Sequence, residues 1–283
     1  MTMIHLGQGR TVGALTVFPI WQDRTSTGAR RYTTGGADLV LGESPDGPAV
    51  GQLHVDNRGQ LPALVLDGQL FEGGWQHRMA TRSAMVAAGG SAPIDVACVE
   101  QRRWGGASGQ TTRGRRASTY VRNGFDTGQQ HEVWRRVEQH GLASPSGSLV
   151  SRLDVLDTQA DLVLERTRPL PGQTGVLVGI GGHPISLEVF DHPQTLVEQL
   201  PQIVRAASLD AYGRPALPTP GRRARRMVAR LERARFDLEP DVGQTARLGR
   251  ARTEALDVMS LRYRHRVVHL RATNHRHPIL QEA

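Results

Sequence analysis

The chain has 283 residues, a mass of 30.9 kDa, mean hydropathy −0.39 and a formal charge of +8 from 35 basic and 27 acidic residues; every basic residue is arginine. That length can bury a core unaided, one cysteine excludes an internal disulfide or a cysteine-clustered zinc site, and no apolar run approaches the roughly 18 residues of a membrane span. The opening "MTMIHLGQGR" shows no secretory pattern, so a cytoplasmic protein with no membrane partner is expected.

Residues 11 to 100 read as short strands divided by turn residues: "GALTVFPI", "AVGQLHVDNRG", "LPALVLDGQLFEGG" with its Asp-Gly turn, and "RMATRSAMVAAGG". "APIDVACVE" alternates, placing Ile94, Val96 and Cys98 on one face and Asp95, Ala97 and Val99 on the other, in a strand that should reach Glu100. Residues 105 to 125, rich in Gly, Ser, Thr and Arg, read as a mobile or ligand-ordered loop. A helix is predicted over 127–140, capped by Asp126 or Thr127, with Gln130, Trp134 and Val137 on one stripe and Gly141 beyond its end. "SPSGS" is a turn, and "DLVLERTRPLPGQTGVLVGIGGHPISLEVF" reads as a strand, a loop and a hairpin turning at "GGHP".

Asp191, Pro193 and Gln194 predict the start of a second helix that runs to about 212. After the linker "GRPALPTP", seven arginines between Arg222 and Arg235 surround an apolar stripe in a third helix. "EALDVMSLRY" and "VVHLRAT" make a final strand pair around "RHR". The fold class expected is α+β: mostly antiparallel β sheets with about three helices packed on them. We expect a single domain over 1–283, with a Pro/Arg-rich linker and basic helix at about 213–240 joining the last strands to the core.

Two motifs fail on context. "GIGGHP" is followed by an alternating strand pattern, so it presents no helix N-terminus to a phosphate. His265 and His269 of "HRVVH" would stand roughly 13 Å apart on a strand, too far to share a metal. No metal site is expected and no cofactor motif is evident.

What remains is "EGGWQHR" followed about twenty residues later by "CVEQRRW". Gln76 and Arg78 share a face, as do Cys98 and Glu100, so paired strands would bring amide, guanidinium, thiol and carboxylate together. The same residues could equally form a structural salt bridge beside a small core thiol.

The stretch from "VGQLHVDNRG" to "CVEQRRW", with "QHEVW", "QTGVLVGIGGHPISLEVFD" and "VVHLRA", resembles the ADP-ribosylglycohydrolase (ARG) and rhodanese-phosphatase-superfamily-associated protein domain family. The resemblance runs from about Val12 to Ala272. It places Gln76, Arg78, Cys98, Glu100, Gln101, Arg103 and Trp104 on the family's polar and aromatic positions, and Gln130 and Trp134 on its helix element. His77 stands where the pattern usually has asparagine. The resemblance implies binding or processing of an ADP-ribose or NAD-derived nucleotide, with ADP-ribose-processing enzymes as associated partners.

In that reading Glu100 is the catalytic acid/base candidate and Cys98 a weaker nucleophile candidate. Gln76, His77, Arg78, Gln101, Arg103, Trp104, Gln130 and Trp134 are ligand-binding candidates, and Arg102, Arg113, Arg115 and Arg116 could join Arg78 and Arg103 on a pyrophosphate. The competing reading is a noncatalytic module whose arginine-rich surface engages a protein or nucleic acid. Nucleic acid is the less favoured partner, because no recognition motif accompanies the arginines and aromatic residues make up only 5%.

Overall fold

The computed structural model describes all residues except 1, 2, 24, 26, 27, 35, 37, 45, 46, 48, 102, 108, 127, 243, 244 and 283, and except the side chains of 238–242. Three strands open the chain: β1 (Ile4–Leu6), β2 (Arg10–Val12) and β3 (Leu15–Gln22). Eight more follow: β4 (Leu39–Gly42), β5 (Gln52–Asn57), β6 (Ala63–Val65), β7 (Leu70–Gly73), β8 (Arg78–Ala80), β9 (Ala84–Val86), β10 (Ser91–Cys98) and β11 (Gly109–Thr111). Then come helices α1 (Thr119–Asn123), α2 (Gln130–Gln139) and α3 (Leu149–Arg166), the hairpin β12 (Gly175–Ile180) and β13 (His183–Phe190), and helices α4 (Pro193–Ala211) and α5 (Gly221–Glu232). Strands β14 (Asp237–Val242), β15 (Ala246–Arg252), β16 (Leu256–Tyr263) and β17 (Arg266–Asn274) and the short α6 (Pro278–Gln281) complete the chain.

These elements form two compact units. One comprises residues 1–30, 158–240 and 247–283; the other comprises 31–157 and 241–246. The first is built on a nine-stranded sheet in the order β1-β3-β12-β13-β17-β16-β15-β14, with β2 also paired to β3. Its hairpins turn tightly through left-handed backbone, at Gly181 and Gly182 between β12 and β13 and at Arg264 and His265 between β16 and β17. Helix α4 lies against β3, β12 and β13. Helix α5 buries Ala224, Met227, Val228 and Leu231 on a core that includes Leu177, Leu187 and Val189. The 3.6-residue period puts those four on one stripe and its arginines on the rest. Truncating Leu231, which is fully buried, to alanine should cost about 2–5 kcal/mol in urea unfolding, while the same change at exposed Arg230 should stay within about 0.5 kcal/mol.

The second unit is a closed six-stranded barrel, β10-β5-β4-β11-β7-β8, accompanied by the β6–β9 pair. Ala92, Ile94 and Val96 of β10 point into its core with Leu41, Leu53, Val55 and Phe71, while Ser91, Pro93 and Asp95 face outward, as period-two alternation requires.

The α+β class and the antiparallel pairing agree with expectation, and "GGHP" and "RHR" are hairpin turns. Several details differ. Six helices are described, four of them longer than six residues, instead of about three. "DLVLER" is the end of α3 and not a strand: Leu149, Val150, Leu153, Leu156, Ala160 and Val163 are buried at helical spacing, and the Ser148 hydroxyl caps the first turn by accepting from the Ser151 N–H. The 105–125 segment contributes barrel strand β11 and helix α1, so it is not simply a loop. The cap of α4 is His192, whose Nδ1 accepts from the Gln194 N–H, and not Asp191. Helix α5 ends at Glu232, before Arg235. Of the two expected caps for α2, Thr127 lies outside the described residues, and the helix starts at Gln130 with no side-chain cap. Gly141, with φ +62°, sits beyond its C-terminus as expected.

Candidate functional site

The two polar motifs meet where β8 and β10 pair. The antiparallel register sets Cys98 opposite Arg78, and the pairing continues with the Val99 N–H donating to the His77 carbonyl. Gln76 then falls beside Glu100, and its Nε2 donates to the Glu100 carbonyl at 3.2 Å.

Glu100 is the hub. Its carboxylate takes a fork from Arg103, Nε to Oε1 at 2.9 Å and Nη2 to Oε2 at 2.6 Å, and it also accepts the His77 backbone N–H at 3.0 Å. Burial disfavours the charge, but the Arg103 fork, the His77 N–H and the His77 ring outweigh it and hold the Glu100 carboxyl below the usual range. At neutral pH the group is therefore a carboxylate with no proton to donate, and while Arg103 forks onto it, it is a weaker base than a free glutamate. The hydrogen bond to Glu100 holds the Arg103 guanidinium more firmly protonated.

The same arginine reaches into a kink made by glycine. Gly73 (φ +95°) and Gly74 (φ +59°) adopt left-handed backbone that L side chains rarely enter, and the turn presents both carbonyls to Arg103 Nη2 and Nη1, at 3.3 and 2.7 Å. Across from them, a Cβ on Gly106 would lie 2.5 Å from the Gly74 oxygen. The two backbone segments approach this closely because no side chain separates them.

His77 is oriented by its neighbours. Its Nδ1 accepts the Gly73 N–H at 2.9 Å, which leaves Nε2 to carry the proton, 3.8 Å from Glu100 Oε2. Burial, with Arg103 also acting, pushes the imidazolium below the ordinary 6.5 against the pull of Glu100. A proton–nitrogen NMR titration should find His77 as the Nε2–H tautomer, protonating at a pH below 6.5.

The remaining candidates take different places. Cys98 is fully buried; its thiol donates to the Glu100 carbonyl at 2.8 Å, and burial pushes it up despite the Glu100 backbone N–H, which donates to Sγ at 3.4 Å, and the Trp134 indole. Gln130 clamps the Cys98 backbone with its amide, both contacts at 2.7 Å, and so continues the hydrogen bonding of β10 onto α2. Gln101 is exposed at a bend.

Arg78 is buried to 0% exposure. It is held by the carbonyls of Ala49 and Val50, at 2.6 and 3.0 Å, and by Glu43 at 3.3 Å. Arg115 forks onto buried Glu72 and also pairs with Asp154, and Arg116 is buried against Asp67. Arg102 lies outside the described residues. Among the described arginines proposed for a pyrophosphate, Arg103 and Arg113 keep substantial exposure.

Trp104 covers Arg78, with the guanidinium carbon 5.7 Å from the ring centroid, and is 49% exposed. Trp75 meets it edge to face at 5.4 Å. Sequence reasoning passed over Trp75, Glu43 and Glu72. The first was legible, because Trp75 stands next to Gln76 and is one of only four tryptophans. Glu43 and Glu72 were not, because their pairing depends on barrel closure.

A family model, the ARG and rhodanese-phosphatase-superfamily-associated protein domain, matches residues 3–273. The chain belongs to this family. No curated protein and no solved structure matches it. Every member of the candidate cluster lies within the matched span. Among the described residues, no group of three His, Cys, Asp or Glu side chains could hold a metal, and no helix is long and apolar enough to cross a membrane.

Proposed function

We propose that this family member binds an ADP-ribose or NAD-derived nucleotide at the Glu100–Arg103–Trp104 surface of the barrel unit. The observation that carries this reading is the half-exposed Trp104 ring, braced by Trp75 and adjacent in sequence to the partly exposed Arg103. An indole offers a stacking face to a purine or nicotinamide, and a forked guanidinium suits a phosphate oxygen. Binding would draw Arg103 partly away from Glu100 and free a carboxylate next to the ligand, where it can accept ribose hydroxyls or act as a base. Cytoplasmic location and association with ADP-ribose-processing enzymes belong to the same reading.

Thermal unfolding with ADP-ribose, NAD and AMP tests it. Ligand at 100 times its dissociation constant adds about 2.7 kcal/mol of stability. The wild type should shift, and Trp104→Ala and Arg103→Gln should lose most of the shift while remaining folded. Equal shifts in all three proteins, or none in the wild type, would remove the reading.

A second reading rests on a separate observation. Arg222, Arg225, Arg226, Arg230 and Arg233 are exposed on and just after α5, and none forms an ion pair among the described residues. Such a face can engage a polyanionic partner, and that binding would weaken steeply with salt.

A further inference from the structure

The sheet unit holds a cavity of about 620 Å³, within the 300–1,000 Å³ or so typical of small-molecule sites. Its floor follows from strand register. Val189 pairs with Leu270, and Leu270 pairs with Ser260, so three adjacent strands place these side chains abreast on one face. Val267 would face the other way from Leu270 in a regular strand. A β-bulge between Leu261 and Arg262 shifts the register by one residue and turns Val267 toward the cavity beside its partner Arg262, which shares the face of Ser260 by ordinary alternation. Phe236, just after α5, supplies an aromatic wall.

The lip is charged. The β16–β17 turn brings His265 and Arg266 to it, using left-handed backbone at two non-glycine residues, Arg264 and His265. Such backbone is disfavoured for L side chains and clusters at functional positions. Asp191 and Glu232 also line the cavity: the Asp191 N–H donates to the Val268 carbonyl beside the bulge, and Glu232 accepts the Ile4 N–H. Arg262 is exposed at the cavity and makes no ion pair among the described residues.

We infer that this cavity is a second ligand site, which takes a small organic anion with a ring-sized apolar body, its charge met by Arg262 and its body seated on Val189, Val267, Leu270 and Phe236. It is independent of the nucleotide reading, because it uses none of the barrel residues.

The probe is 8-anilinonaphthalene-1-sulfonate, an aromatic anion that fluoresces in apolar surroundings, compared with the neutral N-phenyl-1-naphthylamine. The full chain should bind about one equivalent of the anion saturably. Arg262→Gln should weaken that binding by about tenfold or more, the loss of one charge-assisted contact, and leave the neutral probe unchanged. Val267→Phe should fill the floor and reduce both probes, while Trp104→Ala should leave both unchanged, so failure of the nucleotide site is distinguishable from failure of this one. Arg262 is exposed, so that variant decides the matter even where Val267→Phe does not fold. Anion binding that is non-saturable, or equal in wild type and Arg262→Gln, would overturn the inference.

Discussion

Arg78→Ala is expected to lower the unfolding free energy by about 3–5 kcal/mol, as measured by urea denaturation, because it leaves a buried carboxylate without its partner. The Glu43 side chain is 6% exposed, and the carbonyls of Ala49 and Val50 also lose their donor. Arg78→Lys should recover only part of the loss: one ammonium keeps the charge but cannot reproduce a planar fork that serves several acceptors at once. A loss within about 1 kcal/mol for Arg78→Ala would mean that these groups are rehydrated, and that the arginine is not a structural plug of the barrel. The result also bears on function. Loss of ligand binding in an Arg78 variant would be confounded by unfolding, whereas Arg103, with its partly exposed side chain, reports on the site itself.

Glu100→Gln should cost about 1.5–3 kcal/mol near neutral pH, the scale of hydrogen bonds made by a charged group. The carboxylate accepts the Arg103 fork and the His77 N–H; a carboxamide keeps one acceptor oxygen and turns an amide against the guanidinium. The sign of the pH dependence follows from the lowered carboxyl. Its contribution is fully present above the ordinary 4.5 and is lost as pH falls through the lower folded value. The wild-type advantage over Glu100→Gln should therefore shrink to nothing in acid. His77 adds a separate acid-sensitive contribution: its folded value lies below 6.5, so its share is present above 6.5 and declines below it, more so in the variant, where the pull of the Glu100 charge on the imidazolium is gone. Urea midpoints of both proteins from pH 3 to 8 would check this. A gap that stays constant down to pH 3 would show that the Glu100 charge contributes nothing.

The convergence of "GGWQHR" and "CVEQ" was legible because strand alternation alone puts Gln76 with Arg78 and Cys98 with Glu100. What those groups would do once paired was not legible. Arg78 and Arg103 look equivalent in sequence, yet one is sealed against carbonyls and the other reaches the surface, a difference set by Glu43 and the carbonyls of Ala49 and Val50, which close over Arg78. Barrel closure was invisible for a related reason: β11 is three residues long, in a segment whose Gly, Ser and Thr carry no hydrophobic period. Helix α3 had a readable stripe, but "DLVL" taken in isolation mimics a strand, and a window that began at Ser148 would have resolved it. The arginine stripe of α5 was clear from spacing, although its end was not, since Ala234 still packs on the core after the helix has stopped.

The sealed position of Cys98 gives the protein a built-in timer. It is the chain's one sulfhydryl, it has no exposed surface, and with its strand paired to β8 and its backbone held by Gln130 of α2, the surrounding wall must open before a reagent can reach it. The rate at which a disulfide reagent labels the native protein therefore measures how often that wall opens, free of background from any other thiol. A compound seated on Glu100 and Arg103 would slow the labelling in proportion to its occupancy, whereas one held on the nine-stranded sheet would leave it unchanged.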